Sequence, residues 1–262
     1  KWIGSQYPAL RAVPNLVFYE HDTCQHFLPE STWHGKFEVV FRDIGKVRLI
    51  ASNRTSERVF RAAGIDCVYL PKAFNPDAIS DLGRPRDLEF GHVGRTHTRI
   101  YKQRLALLNE VRRELDVQLL RSEDNDFAGY NALLNRVRFF ISADIGFLEY
   151  MSKNFEALAA GCVLVAKRQP PEEQQSLGFV DMQNVVLYDN STELIAKVRA
   201  LQADSARADA IARAGRDLAR ERHNITRRGG ELFQLLQPEI GTAPAPTRWE
   251  KFRTLKLSWN RV

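Results

Sequence analysis

Short apolar runs alternate with longer stretches of helical spacing from residue 15 onward, a pattern that predicts a parallel α/β layer with its strands covered on both faces. Leu16-Val17-Phe18-Tyr19 predicts the first strand. Trp33, Phe37, Val40, Phe41 and Ile44 then recur on one helical face, and Val47 to Ala51 forms the next strand-like run. Ser52 or Asn53 suits a helix N-cap, Gly64 a left-handed stop, and Cys67 to Leu70 a third strand ended by Pro71. Residues 72 to 87 mix prolines, a glycine and charges without apolar periodicity, which predicts an interdomain linker with a boundary near residue 86.

The alternation resumes with a strand over Leu88 to Val93, which runs into Gly94-Arg95 and a helix carrying Tyr101, Leu105, Leu108, Val111 and Leu115. Strands are expected at Val117 to Leu120 and Phe139 to Ile141, with a helix over Tyr130 to Val137 between them. Asn154 to Ala160 predicts a short helix stopped by Gly161, followed by the strand Cys162 to Val165. Val185 to Tyr188 predicts a further strand, Ser191 or Thr192 a cap, and about 204–222 and 225–236 two Arg- and Ala-containing helices. After the break at Pro238 to Pro246, Trp249 to Leu257 has the spacing of a basic amphipathic helix. The expected layout is therefore 1–86, a partial Rossmann-like domain with linker; 87–237, a second Rossmann-like domain; and 238–262, a basic tail.

Composition leaves this picture standing, since 44% hydrophobic and 27% charged residues are ordinary for a globular chain that buries a core. The net charge of +6 comes from cations spread along the chain, densest in the tail at Arg248, Lys251, Arg253, Lys256 and Arg261. No base-reading motif or aromatic stacking platform accompanies it, so nucleic acid is not the expected partner. Cys24, Cys67 and Cys162 are too few and too far apart for a zinc site or a disulfide framework, which fits a reducing cytoplasm. No run approaches the roughly 20 apolar residues of a membrane span, and the expected location is cytoplasmic or peripheral to the inner face of a membrane. The chain begins with Lys1, so truncation or membership of a longer polypeptide is also expected.

In open α/β sheets ligands bind beyond the carboxyl ends of strands, where backbone amides and helix N-termini meet phosphates. Gly94 to Lys102, Asp144 to Asn154 and Lys167 to Gln174 satisfy that placement. Gly94 permits a tight turn while Arg95, Arg99 and Lys102 offer cations, although a solvated basic helix face has the same composition. Ser152-Lys153-Asn154 can direct hydroxyl, ammonium and backbone donors at a phosphate. Glu156, placed in the first turn of its helix, is either a dipole-favoured cap or an acceptor for a ribose diol. No metal-ligand cluster is visible.

The run Asn154-Phe155-Glu156-Ala157-Leu158-Ala159-Ala160-Gly161-Cys162-Val163-Leu164-Val165 resembles the donor-site helix and following strand of GT-B retaining glycosyltransferases of the group 1 type. Val93-Gly94-Arg95 with Lys102-Gln103-Arg104 resembles the first strand and loop of the same domain. Asn184 to Asp189 and His223-Asn224-Ile225-Thr226-Arg227-Arg228 resemble its closing elements. The resemblance implies a GT-B-like α/β fold of two Rossmann-like domains with parallel sheets, the N-terminal one reduced or truncated. It implies an enzyme that moves a sugar from a nucleoside-diphosphate sugar to a saccharide, lipid-linked or protein acceptor, with retention, as in polysaccharide biosynthesis. The C-terminal domain would hold the donor and the N-terminal domain the acceptor. No cofactor and no obligatory metal are implied, since such enzymes stabilise the leaving diphosphate with cations and a helix N-terminus.

Carried over by position, Glu156 binds ribose, Gly94, Arg95 and Lys102 the diphosphate, and Ser152, Lys153 and Asn154 the phosphate or sugar. The family often separates two glutamates by seven residues, whereas six separate Glu149 from Glu156. Glu149 is thus either a catalytic acid near the sugar or an exposed loop acid, with Asp144 a rival. His21 and Asp22 follow the first strand, where the family often has a His, and have the chemistry to move a proton near neutral pH. A hydrogen-bonded His in a polar turn is the other reading. The alternative function is a non-catalytic GT-B-like module that binds a nucleotide, a glycan or a protein.

Overall fold

A computed structural model describes residue 6 and residues 9–96, 99–121, 127–144, 146–241 and 247–248. The expected helix over Trp249 to Leu257 lies outside the described residues. The chain divides into two compact units, Lys1–Pro71 with Glu231–Val262, and Lys72–Gly230.

In the first unit the strands β1 (Leu16–Glu20), β2 (Val47–Ala51) and β3 (Asp66–Tyr69) form a parallel sheet in that order. Each crossover contains a helix, α1 (Phe37–Ile44) and α2 (Arg54–Ala62). The apolar spacing read from the sequence packs these elements together: Phe37, Phe41, Ile44, Leu49 and Phe60 share one core cluster. Asn53 caps α2, its side chain accepting from the Ser56 amide at 2.7 Å. Trp33 precedes α1 in a turn rather than lying on the helix. On β2, buried Arg48 pairs with Asp66 and donates to the carbonyls of Leu235, Pro238 and Glu239.

The second unit holds β4 (Leu88–Val93), β5 (Val117–Leu120), β6 (Val137–Ser142), β7 (Val163–Lys167) and β8 (Val186–Tyr188). They form a five-stranded parallel sheet in the order β5-β4-β6-β7-β8. The helices are α3 (Lys102–Val111), α4 (Phe127–Leu134), α5 (Ser152–Ala159), α6 (Pro171–Leu177), α7 (Ser191–Ala203), α8 (Ser205–Arg222) and α9 (Ile225–Leu236), the last running into the first unit. Strand side chains alternate between two cores, as a sheet covered on both faces requires. Phe140 and Leu164 pack with Phe155, Leu158 and Ala219, whereas Phe139, Ile141, Val163 and Val165 pack with Leu108, Leu194 and Ile211.

Several local expectations change. Residues 72 to 87, expected as linker, are packed into the second unit: Phe74 and Ile79 are buried, and Arg86 donates to the carbonyls of Val137 and Ala160. Val137 begins β6 rather than ending a helix, because its side chain is needed in the sheet core. Asn190, not Ser191 or Thr192, caps α7 by accepting from the Glu193 amide, and Ser191 donates to Glu110 instead. The expected loop Lys167 to Gln174 contains the end of β7 and the start of α6, for which Pro171 is a suitable first residue.

Candidate functional site

The order β5-β4-β6 reverses direction at β4, so β4 is flanked on one side by its successor and on the other by β6. Loops leaving the carboxyl ends of β4 and β6 diverge there and open a crevice. Gly94 and Arg95 follow β4, while Ala143 and Asp144 follow β6. Helix α5 comes after the β6 loop, and its N-cap Met151 supplies no side-chain hydrogen bond to the first amides. An uncapped helix N-terminus beside the switch point offers partial positive charge to an anion.

Charged side chains converge on this position. Arg104 Nη2 lies 2.5 Å and Lys153 Nζ 3.0 Å from Asp144 Oδ1, and Ser142 Oγ donates to Asp144 Oδ2 at 2.9 Å. Arg104 also donates to the Arg95 carbonyl at 2.7 Å and stacks on Tyr101. Two cations thus meet on one carboxylate oxygen, and Glu156 is a further acid that acts on Lys153. Desolvation opposes the ionised form of Asp144, but Lys153 and Arg104 prevail and hold its pKa well below the usual carboxylate range. Burial lowers the pKa of Lys153, against the pull of Asp144.

His92 is buried beneath the same loop. Its Nδ1–H donates to the Ile141 carbonyl at 2.7 Å in the neutral tautomer, and Nε2 has no hydrogen-bond partner among the described residues. Burial, followed by the Lys153 charge, pushes its pKa down to about 4. A Cβ at Gly94 would lie 2.9 Å from His92 Nε2, 2.9 Å from Lys153 Nζ and 3.1 Å from Arg104 Nη1. Any side chain there would fill the space in front of the cations, which gives the glycine after β4 a steric reason.

The structure brings Gly94, Lys153, Ser152 and Asn154 to one end of the sheet, with Asn154 fully buried and both its side-chain polar atoms lacking partners among the described residues. Arg95 and Lys102 are exposed on the neighbouring loop and first turn of α3. Glu156 falls in the second turn of α5, not the first, so it does not cap the helix. Its Oε2 instead accepts from Tyr130 Oη at 2.7 Å. Burial raises the Glu156 pKa, partly offset by that hydrogen bond and by Lys153.

Glu149 is not an exposed loop acid: it is fully buried, with Oε2 at 3.2 Å from Lys72 Nζ. The preceding Leu148 has φ of 58°, a left-handed conformation that a branched aliphatic residue adopts only when its surroundings impose it. His21 and Asp22 belong to the first unit, just past β1, where the His21 ring lies tilted against Tyr19 with centroids 4.1 Å apart and the Asp22 amide donates to Glu20. Among the described residues no group of three or more His, Cys, Asp or Glu is arranged to hold a metal ion.

Sequence reasoning missed His92, Arg104, Lys72 and Tyr130. One signal was legible: the buried stripe of α3 is Arg104, Leu107, Leu108 and Val111, so a charge occupies an apolar position, whereas Leu105 is exposed. The other three depend on contacts between distant segments.

A family profile described as glycosyl transferase-like matches residues 94–234, more than half of the chain. No curated protein matches. Among solved structures, sucrose-phosphate synthase from Thermosynechococcus elongatus superposes with a TM-score of 0.61 at 13% identity, covering 84% of this chain and 66% of that one. TarM of S. aureus gives a TM-score of 0.64 at 11% identity over 90% of this chain and 53% of its own. Anabaena HepE, solved in complex with UDP and glucose, gives 0.63 at 15% identity over 85% and 71%. These likenesses establish the fold, an α/β arrangement of two parallel Rossmann-like sheets as in GT-B glycosyltransferases. The chain spans less than two thirds of the first two of these proteins.

Proposed function

This chain belongs to the glycosyl transferase-like family, and from that membership we propose that it transfers a sugar from a nucleoside-diphosphate sugar to a saccharide, lipid-linked or protein acceptor. The observation that carries the reading is the convergence of cations at the switch point, where Arg104, Lys153 and the uncapped start of α5 surround the space kept open by Gly94. A diphosphate seated there meets ammonium, guanidinium and backbone donors without a protein side chain in the way. The same donors stabilise the nucleoside diphosphate as it leaves, when its charge is greatest. Arg95 and Lys102 reach the phosphates from the solvent side, Ser152 and Asn154 contact phosphate or sugar, and Glu156 accepts from the ribose diol. The complex of HepE with UDP-glucose supports a uridine-diphosphate hexose as the first donor to try.

Glu149, paired with Lys72, is the group assigned to the transferred sugar, and His21 with Asp22 serve proton transfer at the acceptor side. Retention of configuration follows from the family resemblance. Peripheral contact with a membrane surface remains part of the proposal; among the described residues no helix is long and apolar enough to cross one.

Calorimetry with UDP and uridine tests the site. Lys153→Met should weaken UDP at least tenfold, as expected from losing a charged hydrogen bond of about 1.5–3 kcal/mol, and leave uridine nearly unchanged. Equal losses for both ligands would refute the phosphate assignment. For the acceptor side, His21→Ala should keep UDP-sugar affinity and lower the transfer rate, because a proton-transfer group acts mainly in the transition state. Unaltered turnover in that variant would remove His21 from the mechanism.

A further inference from the structure

We propose that Tyr130 is the positioning residue of the nucleoside subsite, fixing one oxygen of Glu156 so that the other faces a ribose diol. The inference rests on the ribose role of Glu156 given above and adds a residue from a different helix. Tyr130 stands on α4 and Glu156 on α5, 26 residues apart, and their side chains meet at 2.7 Å. Among the described residues the Tyr130 hydroxyl is the only hydrogen-bond donor to this carboxylate, and it uses Oε2 alone. Among the described residues Oε1 accepts no hydrogen bond, and it is not among the fully buried unpartnered atoms.

The chemistry of the pair is asymmetric. Burial and the adjoining carboxylate push the Tyr130 phenol far up, so it stays protonated and can only donate. An ionised carboxylate accepts at roughly four positions, and the phenol takes one, leaving enough for two diol hydroxyls. The ring itself is anchored, since Tyr130 packs against the core cluster that contains Phe140, Leu158 and Leu164. A rigid aromatic donor therefore limits the torsional freedom of a glutamate that would otherwise sample several rotamers, and ordering before binding reduces the entropic cost of capture.

The same hydrogen bond favours the ionised form of Glu156 against the effect of burial. Burial raises its pKa, while Tyr130 and then Lys153, on the same helix, oppose the rise. Cys162 is the other titratable group beside Tyr130; its buried thiol, with pKa pushed up to about 11, is neutral at working pH. Removing the phenol hydroxyl takes away a stabiliser of the charged form, so Glu156 should protonate at higher pH. A diol acceptor that protonates earlier loses its ligand earlier as the solution is acidified.

The test measures binding of UDP and GDP, each beside its 2′,3′-dideoxy analogue, to the chain and to Tyr130→Phe and Glu156→Gln across pH 4.5–8. Tyr130→Phe keeps the ring in the core. With whichever diphosphate binds, the expected result is a ribose preference that Glu156→Gln abolishes and Tyr130→Phe reduces by roughly three- to tenfold. The acid limb of binding should also move to higher pH in Tyr130→Phe and vanish in Glu156→Gln. A Tyr130→Phe protein with full ribose preference and an unmoved acid limb, beside a Glu156→Gln protein that has lost both, would overturn the positioning role alone. Retained preference in Glu156→Gln would overturn the ribose assignment, and failure of both UDP and GDP to bind would overturn the donor reading with it.

Discussion

Asp144 occupies both cations that the proposed diphosphate needs, with Arg104 and Lys153 each within 3.0 Å of Oδ1. The carboxylate is thus an internal counter-anion, and its removal acts in two opposite directions. Asp144→Asn leaves two buried cations without their partner, which costs about 3–5 kcal/mol in the unliganded chain. The same change frees those cations for an external anion, so inorganic pyrophosphate should bind the variant more tightly and restore part of its lost melting temperature by mass action. Thermal melts with and without millimolar pyrophosphate check this, and equal protection of parent and variant would disprove the competition. The acid dependence has a definite sign. Asp144 has a depressed pKa in the folded state, so its stabilisation is present above the usual carboxylate range and is lost as pH falls toward the folded value.

At the scale of the element, two asparagine caps show how the same local signal carries different weight. Asn190 is exposed at the start of α7 and makes the ordinary capping bond to the Glu193 amide at 2.9 Å. Asn53 is fully buried, accepts from the Ser56 amide and also donates to Thr23 Oγ1 at 2.9 Å, tying α2 to the 3-10 turn Thr23–His26 that follows β1. Asn190→Ala should cost about 1 kcal/mol, the usual value of a cap. Asn53→Ala should cost about 2–3 kcal/mol, because it leaves the Thr23 hydroxyl in the interior with one partner fewer. Urea denaturation of the two variants decides the order, and equal losses would show that the Thr23 bond contributes nothing. Sequence alone offered Ser52 or Asn53 at one helix and Ser191 or Thr192 at the other, since all are acceptable cap residues and only backbone conformation selects the cap.

Across the whole molecule, buried neutral histidines make stability depend on pH. His92 has its pKa lowered to about 4 by burial and then by Lys153, and His26 to about 4 by burial and then His34. His223 falls to about 3, chiefly through burial, while its Nε2–H donates to the Leu177 carbonyl and its Nδ1 accepts from Arg228. Each folded pKa lies below the unfolded value near 6.5, so the unfolded chain binds more protons between the two. Stability is therefore complete above about pH 6.5 and declines as pH falls toward 4, by on the order of 3 kcal/mol for His92 and for His223. His92→Gln should reduce the slope of unfolding free energy against pH by about one proton between pH 6 and 5. An unchanged slope would mean that His92 is already solvated or already charged in the folded chain.

Residue order determined the elements of this protein, because strand and helix formation respond to short-range periodicity and to caps a few residues away. Leu88 to Val93 and Val117 to Leu120 form strands as expected, and Gly161, with φ of 80°, follows the end of α5 as a residue without Cβ can. The linear order of Asn154 to Val165 was also enough to resemble a glycosyltransferase donor helix and to single out Glu156, while Val93-Gly94-Arg95 and Ser152 to Asn154 singled out Gly94 and Lys153. Tertiary structure alone decided what these residues touch. A cap was one reading of Glu156 until Tyr130 arrived from α4, an exposed loop acid was one reading of Glu149 until Lys72 met it in the interior, and residues 72 to 87 resembled a linker until Phe74, Ile79 and Arg86 packed against the sheet. Burial and ion pairing act between segments tens of residues apart, and their strength depends on the local dielectric that the fold creates. Charge placement at the switch point is of that kind: Arg104, Asp144 and Lys153 carry their formal charges in the sequence, but only the order β5-β4-β6 makes them one site.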